Sequence, residues 1–96
     1  MNILFHPKAV EEFNEAVHYY EQCRPGLGLE FAEEIYATIA RIVEYPHAWT
    51  GLSLNTRRCL VNRFPFGVIF HSTPDTMNII AIANLHRRPG YWTKRT

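Results

Sequence analysis

The residues able to do chemistry crowd toward the end of this chain. An apolar run from Met77 to Ala83 leads into Asn84-Leu85-His86-Arg87-Arg88-Pro89-Gly90-Tyr91-Trp92-Thr93-Lys94-Arg95. One imidazole, two arginines, a Pro-Gly turn, two aromatic rings and two further cations follow one another there. If the apolar run is a buried strand, it holds a rigid basic–aromatic patch at a sheet edge, suited to phosphate, nucleic acid or an acidic protein surface. Arg58 and Arg63 add cations upstream. No glycine-rich nucleotide loop or nucleophile elbow occurs, so no cofactor is expected. His6, His18, His47 and His71 lack metal-ligand spacing, so no metal is expected either. Cys23 and Cys59 are isolated and read as reduced thiols, Cys59 as a core residue rather than a nucleophile.

The elements that position this patch follow from periodicity. Ile3-Leu4-Phe5 reads as a short strand stopped at His6-Pro7, and Pro7 suits the first turn of a helix. Val10, Phe13, Val17 and Tyr20 then form a helical stripe, with Ala9 and Ala16 beside them. Arg24-Pro25-Gly26-Leu27-Gly28 breaks that helix. A second stripe runs through Ala32, Ile35, Ile39 and Ile42, flanked by Leu29, Tyr36 and Val43, and ends at Pro46. Two helices joined so closely form an antiparallel hairpin. After a loop from Pro46 to Thr56 come three strands: Arg57 to Arg63, Phe66 to His71 and Met77 to Ala83. The last lacks clean alternation, which implies burial on both faces and a central position in the sheet. The expected fold is α+β in the order β-α-α-β-β-β, a helical hairpin packed on a small, mainly antiparallel sheet, with residues 1–96 as one domain. Val10, Phe13, Val17, Ile35, Ile39, Val68, Phe70, Ile80 and Ile82 are its expected core.

Composition narrows the class. An apolar fraction of 47% and an aromatic fraction of 14% argue for a globular chain rather than a disordered one. Ninety-six residues support a small core that removes about 60–65% of the unfolded surface from water. No run is long enough to span a bilayer and no signal peptide opens the chain, so a cytoplasmic protein without membrane contact is expected. The formal charge of +1 hides an asymmetry. Residues 1–48 set three cations against eight glutamates, a balance of −5; residues 49–96 set seven cations against Asp75 alone, a balance of +6. Linear order therefore suggests a dipolar molecule, its helical glutamates forming a solvated acidic face.

Order and wording together meet a known family. The stretch Ala16-Val17-His18-Tyr19-Tyr20-Glu21, the turn Pro25-Gly26-Leu27-Gly28 and Tyr45-Pro46 with nearby Trp49 come first. Arg58, Arg63-Phe64-Pro65-Phe66 and Ala83-Asn84-Leu85-His86-Arg87-Arg88-Pro89-Gly90-Tyr91-Trp92 complete the pattern. Over almost the whole chain these words resemble the RelE/ParE superfamily of bacterial toxins, specifically its ParE-like, plasmid-stabilisation branch. The resemblance implies the toxin of a type II toxin–antitoxin pair, held inactive in a hetero-oligomer by a cognate antitoxin that folds around it. Within the superfamily, ParE-like members poison DNA gyrase and RelE-like members cleave mRNA in the ribosomal A site.

Metal-free RNA cleavage needs a base for the ribose 2′-OH, an acid for the leaving oxygen and cations around the phosphoryl group. His86, Arg87, Tyr91 and Arg58 would supply these. Yet the nucleases carry an arginine just before the aliphatic pair of the middle strand, where this chain has Gly67 before Val68-Ile69. Leu60 also stands where they carry a second strand cation. Two missing cations favour a gyrase-binding toxin, with Arg63, Arg87, Arg88, Trp92, Lys94 and Arg95 as target- or phosphate-contacting residues. A toxin-fold protein that has lost its target is the third possibility. Bland readings stand beside these. His86 could be an ordinary surface histidine, Arg87 and Arg88 could pair with helix glutamates or antitoxin carboxylates, and Tyr91 and Trp92 could form a lid over the sheet edge.

Overall fold

Pro7 occupies the first turn of helix α1 (Pro7–Cys23), and the His6 imidazole caps it, Nδ1 accepting from the Lys8 N–H at 3.0 Å. The computed structural model describes residues 1–53 and 55–95. The buried side of α1 runs through Ala9 and Ala16, with Phe13, Val17 and Tyr20 partly buried beside them. Val10, expected in the core, is exposed. The stripe is rotated so that the small alanines face inward, where α1 packs against both α2 and the sheet.

Helix α2 (Leu27–Glu44) starts only four residues after α1 ends, and two glycines make that possible. Gly26 adopts φ +90°, open to glycine without strain. Gly28 faces α1 so closely that an added Cβ would lie 2.6 Å from the Val17 carbonyl oxygen. The Glu21 carboxylate, projecting from the last turns of α1, accepts from the Gly26 and Gly28 N–H groups at 3.0–3.1 Å, so one helix caps the next. We expect Gly28→Ala to lower stability by about 1–3 kcal/mol through overpacking, against its better helix propensity. Urea unfolding reads this directly; an unchanged or raised midpoint would mean that the helices do not approach this closely.

Five strands form one sheet in the order β1-β5-β4-β3-β2. They are β1 (Asn2–Phe5), β2 (Thr50–Gly51), β3 (Arg57–Leu60), β4 (Phe66–Ser72) and β5 (Thr76–Asn84). β3, β4 and β5 make the expected antiparallel meander, and β1 joins β5 in parallel. Two details differ from the sequence expectation. The 46–56 loop contributes the two-residue β2 on the far edge. β3 stops at Leu60, because the chain turns at once and Arg63 takes a left-handed φ of 72°.

β4, not β5 as expected, is the central strand; β5 lies between β1 and β4, and its irregular pattern has a second cause besides two-sided burial. Ile69 pairs with Ala81 but Phe70 pairs with Ile79, so Ile80 is an inserted bulge residue. The helix-facing core gathers Phe31, Ile35, Ile39, Ile42, Val68, Phe70, Met77, Ile79 and Ile82. The opposite face buries a second cluster, Ile69, Ile80, Ala81 and Ala83, under Tyr91 and Trp92. Among the described residues no helix is long and apolar enough to cross a membrane.

Candidate functional site

The segment after β5 is built as a strap across the sheet. Asn84 starts it: its side-chain Oδ1 accepts from the His86 N–H at 2.9 Å and its carbonyl from the Arg87 N–H at 3.0 Å. The Leu85 N–H donates to the Pro65 carbonyl, tying the strap to the β3–β4 connection. Gly90, at φ +84°, turns the chain back. A short 3₁₀ turn at Thr93–Arg95 closes it. Tyr91 and Trp92 meet edge to face at 5.2 Å and cover the second apolar cluster, which is the lid arrangement.

One carboxylate organises this strap, and it belongs to a glutamate that the sequence reading places on a solvated face. Glu12, on α1, is 11% exposed. It accepts from the Ile82 N–H at 3.0 Å, from the Tyr91 hydroxyl at 2.7 Å and from both terminal nitrogens of Arg95 at 2.9 and 3.0 Å. Arg87 approaches the same carboxylate at 3.6 Å and lies 3.8 Å from the Tyr91 ring centroid. The bidentate pair makes Arg95 a more persistent cation, while burial and the Glu12 hydrogen bond push the Tyr91 phenol well above its ordinary range.

The sequence-nominated residues therefore separate. His86, Arg87 and Tyr91 line one groove of about 440 Å³ between α1 and the ends of β4 and β5, together with Glu12, Glu15 and Tyr19. Arg87 stays half-exposed, at 55%. Arg88 and Lys94 are exposed, and neither forms an ion pair among the described residues. Arg95 turns inward at 14% exposure and also donates to the Ile80 carbonyl. Arg63 is likewise engaged: it pairs with Glu30 at 2.6 Å and Glu34 at 3.7 Å, tying the β3–β4 turn to α2. Arg63 first, and Arg24 second, hold the Glu30 carboxyl below its usual range. Pairs from the first half to the second thus cancel much of the linear charge asymmetry.

Arg58 does not line the groove. Its methylene stem lies across Gly67, where an added Cβ would meet Cγ and Cδ at 3.1 and 3.2 Å, and its buried Nε has no protein acceptor among the described residues. Gly67, which departs from the nuclease pattern, thus makes room for the Arg58 side chain. Burial pushes the Cys59 thiol upward, in keeping with a core residue. No group of His, Cys, Asp and Glu suited to a metal ion occurs among the described residues.

No protein-family model and no curated protein matches the sequence. The fold does have solved counterparts. A chain of the structure described as the chromosomal ParDE TA system from P. aeruginosa superposes with a TM-score of 0.76 at 17% identity, covering 90% of this chain and 97% of that one. The α+β architecture of two helices on a five-stranded mixed sheet is RelE/ParE-like.

Proposed function

We infer that this chain is the toxin of a type II toxin–antitoxin pair, and that it acts by binding DNA gyrase rather than by cleaving RNA. The observation that favours binding over catalysis is the state of the strap. The Tyr91 phenol donates to Glu12 and holds its proton tightly, and Arg58 lies away from the groove that His86 and Arg87 share. A proton-transfer pair with a cation cage needs those groups converging on one point. Arg87 and Arg88 instead stand exposed on a rigid, apolar-backed strap, a surface suited to an acidic or phosphate-bearing target. The ribosome-dependent nuclease is the second reading, supported by the one groove that collects His86, Arg87 and Tyr91.

The antitoxin has a fitting place at the β1 edge. The N–H groups of Asn2 and His6 bond inward to the Asp75 and Ile79 carbonyls, so alternation turns those of Ile3 and Phe5 to the open side. Ile3 and Leu4 are exposed on that edge strand, and β1 carries no charge to deter pairing. An extended antitoxin segment adding a strand here would gain backbone bonds and apolar cover together. Co-expression with a small adjacent gene should rescue growth and yield a complex. Ile3→Pro, which deletes only an outward donor, should keep the monomer's melting point within a few degrees and weaken the complex about tenfold. A chain harmless alone that captures no neighbour defeats the toxin reading; a complex indifferent to Ile3→Pro moves the antitoxin off this edge.

A further inference from the structure

Strand β1 ends in register at Ile79, yet β5 continues to Asn84 with that edge uncovered by any strand among the described residues. Two side chains finish that edge. The Ile82 N–H donates to Glu12, and Arg95 donates to the Ile80 carbonyl at 3.1 Å while holding the same Glu12 carboxylate in two bonds. The bulge at Ile80 makes this possible, because it shifts the phase of the backbone groups beyond Ile79. An ion pair thus stands in for the missing continuation of β1, and the strap is fastened where it crosses.

We propose that Glu12 and Arg95 are positioning residues, a buried latch that fixes the strap of residues 85–95 on the sheet so that Arg87 is presented outward. The division of labour follows from geometry. Arg95 has little exposure and bonds the carboxylate twice and the backbone once; Arg87 is half-exposed, makes only a longer contact with Glu12, and lies over the Tyr91 ring. Removing Glu12 strands the Arg95 guanidinium beside the Ile80 carbonyl, and removing Arg95 takes the bidentate cation from Glu12 and the donor from that carbonyl. The strap then loses its shortest ion pair, and Tyr91 and Trp92 lift from Ile69, Ile80, Ala81 and Ala83. Removing Arg87 leaves Glu12 with Arg95, Tyr91 and Ile82, and the strap stays down.

The latch itself is independent of the toxin reading; only its consequence for target binding rests on it. Hydrogen exchange and tryptic cleavage of the purified full-length chain test it, with Trp92 emission as a second signal. In Glu12→Gln and Arg95→Met, exchange across 85–95 and cleavage after Arg87 and Arg88 should rise about tenfold or more while α2 and β4 keep their protection. Arg87→Ala should leave strap exchange within about twofold, apart from the lost cleavage site. The double variant should open the strap no further than either single one, the signature of coupled partners. If Glu12→Gln does not fold, Arg95→Met alone decides, because it leaves Glu12 bonded to Tyr91 and Ile82. A strap equally protected in the latch variants overturns the proposal, as does an Arg87→Ala strap that opens as readily. Arg95→Met that abolishes growth inhibition with strap exchange unmoved would make Arg95 a target contact instead of a latch. A wild-type chain without toxicity counts against the proposed function and leaves the exchange result standing.

Discussion

Phe31→Ala should destabilise the protein by about 3–5 kcal/mol, at the upper end of what a single side-chain truncation costs. Phe31 is fully buried on α2 and sits at the centre of an aromatic group joining both helices to the sheet. Its ring centroid lies 5.2 Å from Tyr20, 5.2 Å from Phe64, 5.0 Å from Phe66 and 6.3 Å from Phe13. Deleting the ring removes buried apolar area and four ring contacts at once, two of them edge to face, and neighbours around it cannot all collapse into the gap. For a chain of this size the melting temperature should fall on the order of 15–30 °C. Tyr36→Ala is the matched control, because Tyr36 also touches Phe13 but is 60% exposed; it should cost less than about 1 kcal/mol. Equal losses from the two variants in urea unfolding would mean that the aromatic group is not the keystone of the core.

Phe31 also shows where sequence periodicity misses. Ile35, Ile39 and Ile42 announce the buried side of α2, but extending that stripe backward selects Ala32 and Leu29, and Leu29 is exposed. The residues buried near the helix start are Gly28 and Phe31. Their inward phase is set by the close approach to α1, which no hydrophobic pattern records. The meander was legible because turn residues and β-branched runs mark it plainly. The Ile80 bulge was not, since an apolar run with one inserted residue reads like any doubly buried strand.

Glu12 is the more instructive case for the site. A glutamate in the early part of an amphipathic helix ordinarily faces water, and its partners here lie 70 to 83 positions away in sequence. One local signal existed. Glu12 follows Ala9 by three residues and precedes Ala16 by four, so it borders the stripe that those alanines bury. An acid on that border needs a cation, and the chain's surplus of cations all lies in its second half. That the cation is Arg95 rather than Arg87 depends on the turn at Gly90, which residue types alone do not reveal.

If the exposed part of the strap is the working surface, Arg87→Ala should weaken target binding about ten- to a hundredfold, from the loss of a charge-assisted hydrogen bond. Removing an exposed helix charge such as Glu33 should change it less than about twofold. The comparison is clean because removing Arg87 leaves Glu12 with Arg95, Tyr91 and the Ile82 N–H. Growth-inhibition titration with a matched immunoblot for toxin level reads the effect in cells. The target separates by product. Gyrase poisoning should give cleaved DNA and an SOS response with intact mRNA, whereas ribosomal cleavage should give codon-phased mRNA breaks with intact DNA. A strap whose tyrosine is locked to a carboxylate, beside a groove that Arg58 does not line, is poorly equipped to move protons around a phosphate. Codon-phased breaks that vanish in His86→Ala or Tyr91→Phe would overturn the gyrase assignment. Breaks that vanish in Tyr91→Phe would also require the Tyr91–Glu12 bond to break on the ribosome, so that the phenol could take part in proton transfer.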